Sequence, residues 1–257
     1  MTDSIAWPTS SPGHLPRPGE VHLWRIPLFP RPEVIEARAG LLTRDETERA
    51  RRFRFDIHRQ RYILRRGALR TLLGAYLGID PGHVGFGYSA RGKPKLVEGP
   101  AEGSLEFNLS DSEDWALLGV VLERSIGVDI EHLRPIPEID TLARDHFSDR
   151  ECRVFQRLGP DQRLRGFYDC WTRKEAWLKA RGEGITAPLD GFDVTLGPEE
   201  APRLLEVRGA PAEAGRWSLS ACRPAPGYVG AVALLGLPTL IVQMSFEDAA
   251  SRRPTAR

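Results

Sequence analysis

The sequence predicts an α+β fold made of two halves, each of which combines helices with several strands. Apolar residues at helical spacing alternate along the chain with short alternating or apolar segments bounded by Gly and Pro. Both patterns occur in 21–122 and again in 126–235, which indicates a duplicated α+β unit although the sequence repeat itself is weak. The predicted divisions are a mobile tail over 1–20, an N-terminal subdomain over 21–124, a C-terminal subdomain over 125–237 and an extension over 238–257.

The composition allows a sizeable core and shows no charge bias. The 257 residues are 41% hydrophobic and carry a formal net charge of +1, which argues against a general nucleic-acid binder or a membrane-surface protein. Three cysteines without metal-binding spacing favour a reducing compartment. Neither an apolar signal segment nor an apolar run of about 20 residues is visible. We therefore expect a cytoplasmic monomer without nucleic-acid or membrane partners.

The first half begins with an alternating strand over Val21–Ile26. Thr43 predicts a helix that starts at Arg44, because Glu46 stands where a capping box requires it. A longer helix follows over His58–Tyr76, with an apolar stripe at four-residue spacing. Four arginines lie between the stripe residues: Arg61, Arg65, Arg66 and Arg70. Most of them are interpreted as part of a solvated helix face.

The strand pattern in the middle of the chain places two carboxylates together. Leu105–Leu109 and Trp115–Leu122 predict strands, and Ile126–Glu131 predicts another with two different faces. Its apolar residues point to one face, whereas Asp129 and Glu131 point to the other. These carboxylates repel each other and need a cation or strong solvation. A solvent-facing strand end is the simpler alternative, but the strongly apolar strand before it argues against that interpretation.

The segment Phe167–Ile185 predicts the helix around which the second half is organised. Glu175 and Lys179 lie one turn apart, and Gly182 ends the helix before a short glycine-rich loop. Taken alone, this pattern favours an ordinary surface Glu–Lys pair, and only the upstream acidic pair shifts the interpretation towards a functional site. Two short helices are predicted before it, over Pro137–Phe147 and Ser148–Leu158. Five strands are predicted after it, over 190–196, 203–207, 217–223, 228–235 and 240–246.

Three carboxylates and one ammonium form the candidate chemistry. Asp129, Glu131 and Glu175 offer only oxygen ligands, which suit Mg²⁺ and also Mn²⁺. Lys179 is well placed for phosphate groups bound at such a cation. These parts suit transfer at a phosphorus centre. Further phosphates could bind the basic residues around Arg54, Arg70 and Lys93.

Five motifs carry a resemblance to a known family. GVDIE at 127–131, FS at 147–148 and WTRKEAWLKARGEGI at 171–185 resemble the 4′-phosphopantetheinyl transferase superfamily in order and spacing. RGKPKL at 91–96 and FNLSDS at 107–112 are similar to motifs of its Sfp-type branch, and the chain has the length of two family repeats. The resemblance covers about 49–235 and is strongest over 105–185.

The resemblance implies a fold and an activity. The family folds as a pseudo-dimer of two similar α+β subdomains, with the active site in the cleft between them. Its members move the phosphopantetheine arm of coenzyme A onto a serine of an apo acyl or peptidyl carrier protein and release adenosine 3′,5′-bisphosphate. By motif, Asp129, Glu131 and Glu175 would hold Mg²⁺, with Glu131 acting through water in some members. Lys179 would bind the pyrophosphate and stabilise charge during transfer.

The same resemblance implies the residues that hold coenzyme A. Lys93 and Pro94 would line the adenine side, and Arg54 would lie at the mouth of the cleft. Ser110 and its neighbour Asp111 would approach the 3′-phosphate, helped by the arginine aligned as Arg70. Asp111 departs from the family pattern, because many Sfp-type members have histidine there. A carboxylate at this position would repel the phosphate unless an arginine pairs with it.

The base that takes the proton from the carrier serine is left open by the sequence. Glu175 or a metal-bound water could do so, and Glu151 is a third candidate that is better explained as a helix cap. We favour Glu175 as both ligand and base. The carrier is expected to dock on the helix over Ser148–Leu158, which exposes several arginines, although an ordinary solvated helix explains them equally well.

Other functions are compatible with parts of the pattern. Another Mg²⁺-dependent phosphotransferase would share the carboxylates, but the sequence contains no Walker or kinase glycine loop. A catalytically silent relative that binds coenzyme A would not need the intact set of acidic residues and lysine. A nucleic-acid binder fits poorly with a net charge near zero.

Overall fold

The computed structural model describes residues 7–97, 105–182, 188–197, 200–238 and 240–247. Six α-helices lie in these residues: α1 Pro32–Ala39, α2 Arg44–Arg51, α3 Asp56–Leu77, α4 Ile139–His146, α5 Asp149–Gln156 and α6 Pro160–Arg181. Twelve strands accompany them: β1 Thr9–Ser10, β2 Glu20–Pro27, β3 Phe86–Tyr88, β4 Pro94–Leu96, β5 Leu105–Ser112, β6 Trp115–Leu122, β7 Ile126–His132, β8 Phe192–Val194, β9 Leu204–Val207, β10 Trp217–Cys222, β11 Tyr228–Leu235 and β12 Leu240–Phe246. The predicted α+β class is confirmed, as are all the strands and longer helices predicted above.

Two sheets form the framework. The first has the strand order β1-β12-β2-β6-β5, and the second has the order β10-β11-β7. One face of the first sheet packs on α3, whose predicted apolar stripe is buried. The other face packs on the second sheet, where alternating residues of β2 and β7 meet, including Leu23, Val128 and Ile130. α6 covers the outer face of the second sheet.

The two halves repeat the same helical unit, which supports the predicted duplication. In each half an eight-residue helix with a capping box precedes a helix of 22 residues. The capping boxes are those predicted at Thr43 and Ser148. Each long helix ends at a glycine in the left-handed conformation, Gly78 at φ 67° and Gly182 at φ 69°. Glycine is favoured there because a side chain would strain this conformation.

Two of the predicted divisions are wrong at their edges. Trp7 is buried and Thr9–Ser10 pairs in parallel with Ser245 and Phe246, so this part of the segment 1–20 is packed rather than mobile. β12 pairs with β2 in the first sheet, although it follows the second half in sequence. The reason is hydrophobic, since Met244 and Phe246 lie in the core of the first half. The predicted loop after Gly182 lies largely outside the described residues, as do 1–6 and 248–257.

Candidate active site

The site lies where β5 of the first sheet meets β7 of the second. Side chains of β5 bridge the two strands: Asn108 Oδ1 accepts the Val128 N–H at 2.8 Å, and Ser112 Oγ accepts the His132 N–H at 3.1 Å. Both bonds satisfy backbone donors of β7 that face another sheet. The next polar side chain of β5, Ser110, therefore lies beside Asp129. A seam between the halves thus presents the predicted carboxylates.

α6 approaches the acidic face of β7 because Gly127 has no side chain. A Cβ at this position would lie 2.0 Å from the Ala176 carbonyl oxygen and 2.3 Å from the Ala180 nitrogen. The helix backbone therefore rests directly on the strand. Gly127 and Asp129 share one face of β7, so this close packing brings the side chains of Glu175 and Lys179 towards Asp129.

Asp129 is the centre of the polar cluster and is only 3% exposed. Its Oδ1 accepts a hydrogen bond from Lys179 Nζ at 2.6 Å and another from Ser110 Oγ at 2.9 Å, while Lys179 also donates to Ser110 Oγ at 2.9 Å. Its Oδ2 is buried and has no hydrogen-bond partner among the described residues. A buried carboxylate oxygen without a donor is costly, and a hard cation is the type of partner that would satisfy it.

The electrostatics of the cluster keep the lysine charged and the glutamates easy to protonate. Burial lowers the pKa of Lys179, but the carboxylates of Asp129, Glu175 and Glu131 outweigh it, so that this pKa is raised. Burial and the Asp129 charge together raise the pKa of Glu175. The same two causes raise the pKa of Glu131, against the hydrogen bond that Ser112 Oγ donates to it at 2.9 Å. Three carboxylates against one ammonium leave room for added positive charge.

The three predicted metal ligands converge on one region without closing into a compact set. Asp129, Glu131 and Glu175 interact electrostatically, but they are not a group whose ligand atoms all lie within 4.8 Å of one another. Glu131 Oε2 instead binds Ser112, and Asp129 Oδ1 binds Lys179. The oxygen-only donors and the unpaired Asp129 Oδ2 fit a Mg²⁺ ion.

The structure contradicts the predicted role of Arg70 in binding the 3′-phosphate. Arg70 is 1% exposed, and its guanidinium forms a bidentate pair with Glu46 at 2.7 and 3.0 Å. Its remaining donors bind the carbonyl oxygens of Pro81, Gly82 and Val84. All of these interactions are internal, so Arg70 ties α2 and a loop to α3. Burial and these bonds leave no part of the Arg70 guanidinium accessible to a phosphate.

Lys174 occupies the corresponding place in the second half. Arg70 and Lys174 each stand at the fifteenth position of a 22-residue helix, and each pairs with the capping-box glutamate of the preceding helix. Lys174 Nζ lies 2.8 Å from Glu151, and neither residue is more than 1% exposed. Glu151 also accepts the backbone N–H groups of Ser148 and Val194. Its interpretation as a cap is confirmed, and this burial excludes it as the base.

Lys93 and Pro94 lie at the edge of the seam. Lys93 Nζ donates to the carbonyl oxygens of Ile126 at 3.0 Å and Ala180 at 3.4 Å, so it joins the start of β7 to the end of α6. Burial lowers the pKa of this lysine. Pro94 begins β4 and is half-buried. The ammonium of Lys93 is therefore engaged with backbone carbonyls close to the site.

Asp111 has the arginine partner that its charge requires. Arg65 on α3 forms an ion pair with Asp111 on β5, between a guanidinium nitrogen and Oδ1. This pairing neutralises the carboxylate that departs from the family pattern. Sequence reasoning placed Arg65 on a solvated face and missed it. The spacing of arginines along α3 indicated a shared face, but only the packing of α3 reveals which strand lies opposite.

A cavity with aromatic and charged walls opens next to this ion pair. Its volume is about 660 Å³, and it is lined by the aromatic residues Phe53, Tyr62 and Tyr88, by Arg49 and Arg52, and by the carboxylates of Asp45, Glu46 and Glu48. Phe53 and Tyr62 also line a smaller cavity of about 210 Å³ that reaches Arg65 and Asp111. Arg54 is exposed and lies over the Phe55 ring, 5.3 Å from its centroid.

Two family models divide the chain between them. The model of the 4′-phosphopantetheinyl transferase superfamily matches residues 125–233, and a model of the N-terminal region of 4′-phosphopantetheinyl transferase matches residues 29–122. The chain is 44% identical over 217 residues to 4′-phosphopantetheinyl transferase HetI of Nostoc sp., with 84% of this chain and 88% of that protein covered. This chain belongs to the 4′-phosphopantetheinyl transferase superfamily.

Further relatives agree with the predicted branch. A putative 4′-phosphopantetheinyl transferase of Synechocystis sp. is 36% identical, with 68% of this chain and 69% of the relative covered. 4′-Phosphopantetheinyl transferase Sfp of Bacillus subtilis is 28% identical, with coverage of 61% and 67%. These relatives confirm the predicted transferase family and its Sfp-type branch.

A solved complex of acyl-carrier-protein synthase with coenzyme A from Chronobacterium ammoniagenes aligns to 44% of this chain and 97% of its own, with 21% identity and a TM-score of 0.34.

Proposed function

We propose that this enzyme transfers the phosphopantetheine arm of coenzyme A to a serine of an apo acyl or peptidyl carrier protein and releases adenosine 3′,5′-bisphosphate. Membership of the family supports the reaction class. The observation that carries the proposal is the buried cluster of Asp129, Ser110 and Lys179 at the seam between the halves. Such a cluster can bind a diphosphate with a cation on one side and an ammonium on the other.

The proposed metal ligands are Asp129, Glu131 and Glu175. Asp129 Oδ2 is the strongest candidate because it is buried and unpaired within the described part of the chain. A bound Mg²⁺ would draw negative charge off the pyrophosphate and orient the transferred group. Burial and then the charge of Asp129 raise the pKa of both Glu131 and Glu175.

Lys179 and Glu175 are the proposed catalytic side chains. Lys179 keeps its proton because its carboxylate neighbours raise its pKa, and its side chain is about 30% exposed towards the seam. It can therefore stabilise the charge that develops on the leaving phosphate. Glu175 has a raised pKa, which brings it closer to the range where a carboxylate can accept the proton of the carrier serine.

The proposed coenzyme site extends from the cluster to the cavity lined by Arg49, Arg52 and aromatic rings. The Arg65–Asp111 pair presents a neutralised surface beside Ser110. The neighbouring cavity offers Arg49 and Arg52 for phosphates and aromatic rings for an adenine. Among the residues predicted to bind coenzyme A, Ser110, Asp111, Lys93, Pro94 and Arg54 remain proposals.

Carrier docking and localisation are further proposals. The helix α5 exposes Arg150 and Arg153, and the C-cap Arg157 follows, so this face would attract an acidic carrier. All three cysteines are free, which agrees with a reducing compartment such as the cytoplasm. Within the described residues no helix is long and apolar enough to cross a bilayer. We propose that the enzyme acts as a monomer.

Mass spectrometry of apo carrier proteins after incubation with coenzyme A and Mg²⁺ tests the reaction. We expect one serine to gain one phosphopantetheine group. Consumption of ATP instead of coenzyme A would favour a different phosphotransferase and contradict the proposal. In the same assay Glu175→Gln should lose turnover at saturating Mg²⁺, by at least about 100-fold for a ligand that is also the base. Asp161→Asn, an exposed acidic change in the first turn of the same helix, is the matched control.

A further inference from the structure

A second group of metal-ligating side chains lies outside the active site. His14, Glu20 and His22 are the only three described residues of the His, Cys, Asp and Glu types whose ligand atoms all lie within 4.8 Å of one another. His22 Nε2 is 3.6 Å from Glu20 Oε2. Glu20 and His22 stand two residues apart on β2 and so share its face, while His14 comes from the segment between β1 and β2.

Both imidazoles form their hydrogen bonds to neighbouring oxygens through Nδ1. His14 Nδ1 lies 2.7 Å from the Leu15 carbonyl oxygen, which can only accept, so Nδ1 carries the proton in the neutral ring. His22 Nδ1 lies 2.7 Å from Tyr76 Oη, which also accepts from Trp24 Nε1 at 2.8 Å. A cation on Nε2 would require the tautomer in which His22 Nδ1 carries the proton and donates to Tyr76 Oη. A backbone carbonyl or polar group behind the distal nitrogen is the arrangement that orients metal-binding histidines.

The ligand types select the metal. Two imidazole nitrogens and one carboxylate suit Zn²⁺ and similar transition metals, whereas Mg²⁺ prefers oxygen alone. Zinc bonds of about 2.0–2.1 Å place tetrahedral ligand atoms roughly 3.3 Å apart. The 3.6 Å between His22 Nε2 and Glu20 Oε2 is close to this spacing, and all three ligand atoms lie within 4.8 Å of one another.

A cavity of about 470 Å³ adjoins the three residues and supplies an open coordination position. Besides Glu20 and His22, its walls are the segment Pro8–His14, Arg17 and residues Val242–Met244 of β12. Glu20 Oε2 also accepts the Arg17 N–H at 3.0 Å, which fixes the carboxylate against the same turn. A cation here would join the segment after β1 to β2.

We propose that His14, Glu20 and His22 form a binding site for Zn²⁺ or a similar transition-metal cation, with water in the fourth position. This site is separate from the carboxylates of the seam and differs from them in its ligand types. Its physical effect is to hold the N-terminal segment against the first sheet. It does not depend on the transfer reaction.

Calorimetric titration of the metal-stripped full-length chain with Zn²⁺, in buffer containing millimolar Mg²⁺, tests the site. We expect one equivalent to bind in the wild type and in His83→Ala, which removes an exposed histidine of another turn. His14→Ala and Glu20→Gln should each bind at least tenfold more weakly. Failure of the wild type to bind one equivalent, or unchanged affinity in His14→Ala, would overturn the proposal.

Two further measurements separate ligation from misfolding. His14 is exposed, so circular dichroism should show an unchanged fold in His14→Ala. Co²⁺ should give the absorption of a tetrahedral site in the wild type and lose it in both variants. Zn²⁺ should also slow proteolysis within residues 11–19 of the wild type but not of His14→Ala. Equal proteolysis rates with and without Zn²⁺ in the wild type would contradict the proposed attachment of this segment.

Discussion

Gly127→Ala should disable the enzyme through helix position alone, without removing any catalytic group. Real Cβ atoms do not come within 3.0 Å of other heavy atoms, yet a Cβ here would lie 2.0 Å from the Ala176 carbonyl oxygen. Since both partners are backbone, no side-chain rotation can relieve the overlap. α6 must therefore move away from β7 by about 1 Å, or the strand must move by the same amount.

The size of the effect follows from the distances. A retreat of about 1 Å would stretch the 2.6 Å contact between Lys179 and Asp129 to about 3.6 Å, which is no longer a hydrogen bond. A misplacement of this size costs catalysis about 100-fold. Overpacking of the core costs about 1–3 kcal/mol of unfolding free energy. Turnover should therefore fall far more than the stability loss alone would explain.

The assay pairs phosphopantetheine transfer with urea unfolding and with Mg²⁺ half-saturation. Gly215→Ala is the matched control, because a Cβ at Gly215 meets nothing within 4 Å. It should leave transfer unchanged. If Gly127→Ala retained wild-type turnover and lost less than about 0.5 kcal/mol, the claim that this glycine sets the helix position would be refuted.

Three other changes test the remaining assignments. Lys174→Met leaves Glu151 as an unpaired buried charge and should cost about 3–5 kcal/mol in urea unfolding; a loss below about 1 kcal/mol would contradict the structural role. Arg65→Ala leaves the charge of Asp111 without its partner and should raise the KM for coenzyme A about threefold, since an exposed ion pair is worth up to about 1 kcal/mol. Adding Asp111→Asn to this variant should restore the wild-type KM. Mg²⁺ affinity should fall as the pH is lowered, because a proton on Glu175 competes with the cation. The fall should begin above the ordinary glutamate pKa of 4.5, since the pKa of Glu175 is raised. A pH-independent Mg²⁺ half-saturation between pH 5 and 8 would exclude Glu175 as a ligand.

Local signals predicted the elements well, since their causes are local. The capping boxes at Thr43 and Ser148 and the terminal glycine Gly182 fix helix ends through bonds between near neighbours. The helix α1 was not predicted. It has no side-chain cap, and its apolar residues are too few to form a stripe. The pairing of β12 with β2 was also missed, because strand partners far apart in sequence leave no local trace.

Periodicity groups the acidic residues of the predicted site but not the arginines of α3. The alternation of β7 puts Asp129 and Glu131 on one face, and a helical turn separates Glu175 from Lys179, so periodicity alone groups each pair. The spacing of the arginines on α3 does not indicate which carboxylate each one meets. Arg65 and Arg70 are separated by just over one helical turn, yet Arg70 is buried against Glu46 and Arg65 reaches Asp111.

The sequence by itself determined the family, the helix and strand composition and the identity of the acidic residues, because motifs and periodicity are properties of adjacent residues. The tertiary structure decided which cations meet which anions. Arg70 and Lys174 became structural because each long helix packs its fifteenth residue against the capping glutamate before it. Lys179 reaches the site because α6 packs directly on Gly127 of β7, the strand that also carries Asp129. No local sequence rule specifies that this helix packs on this strand.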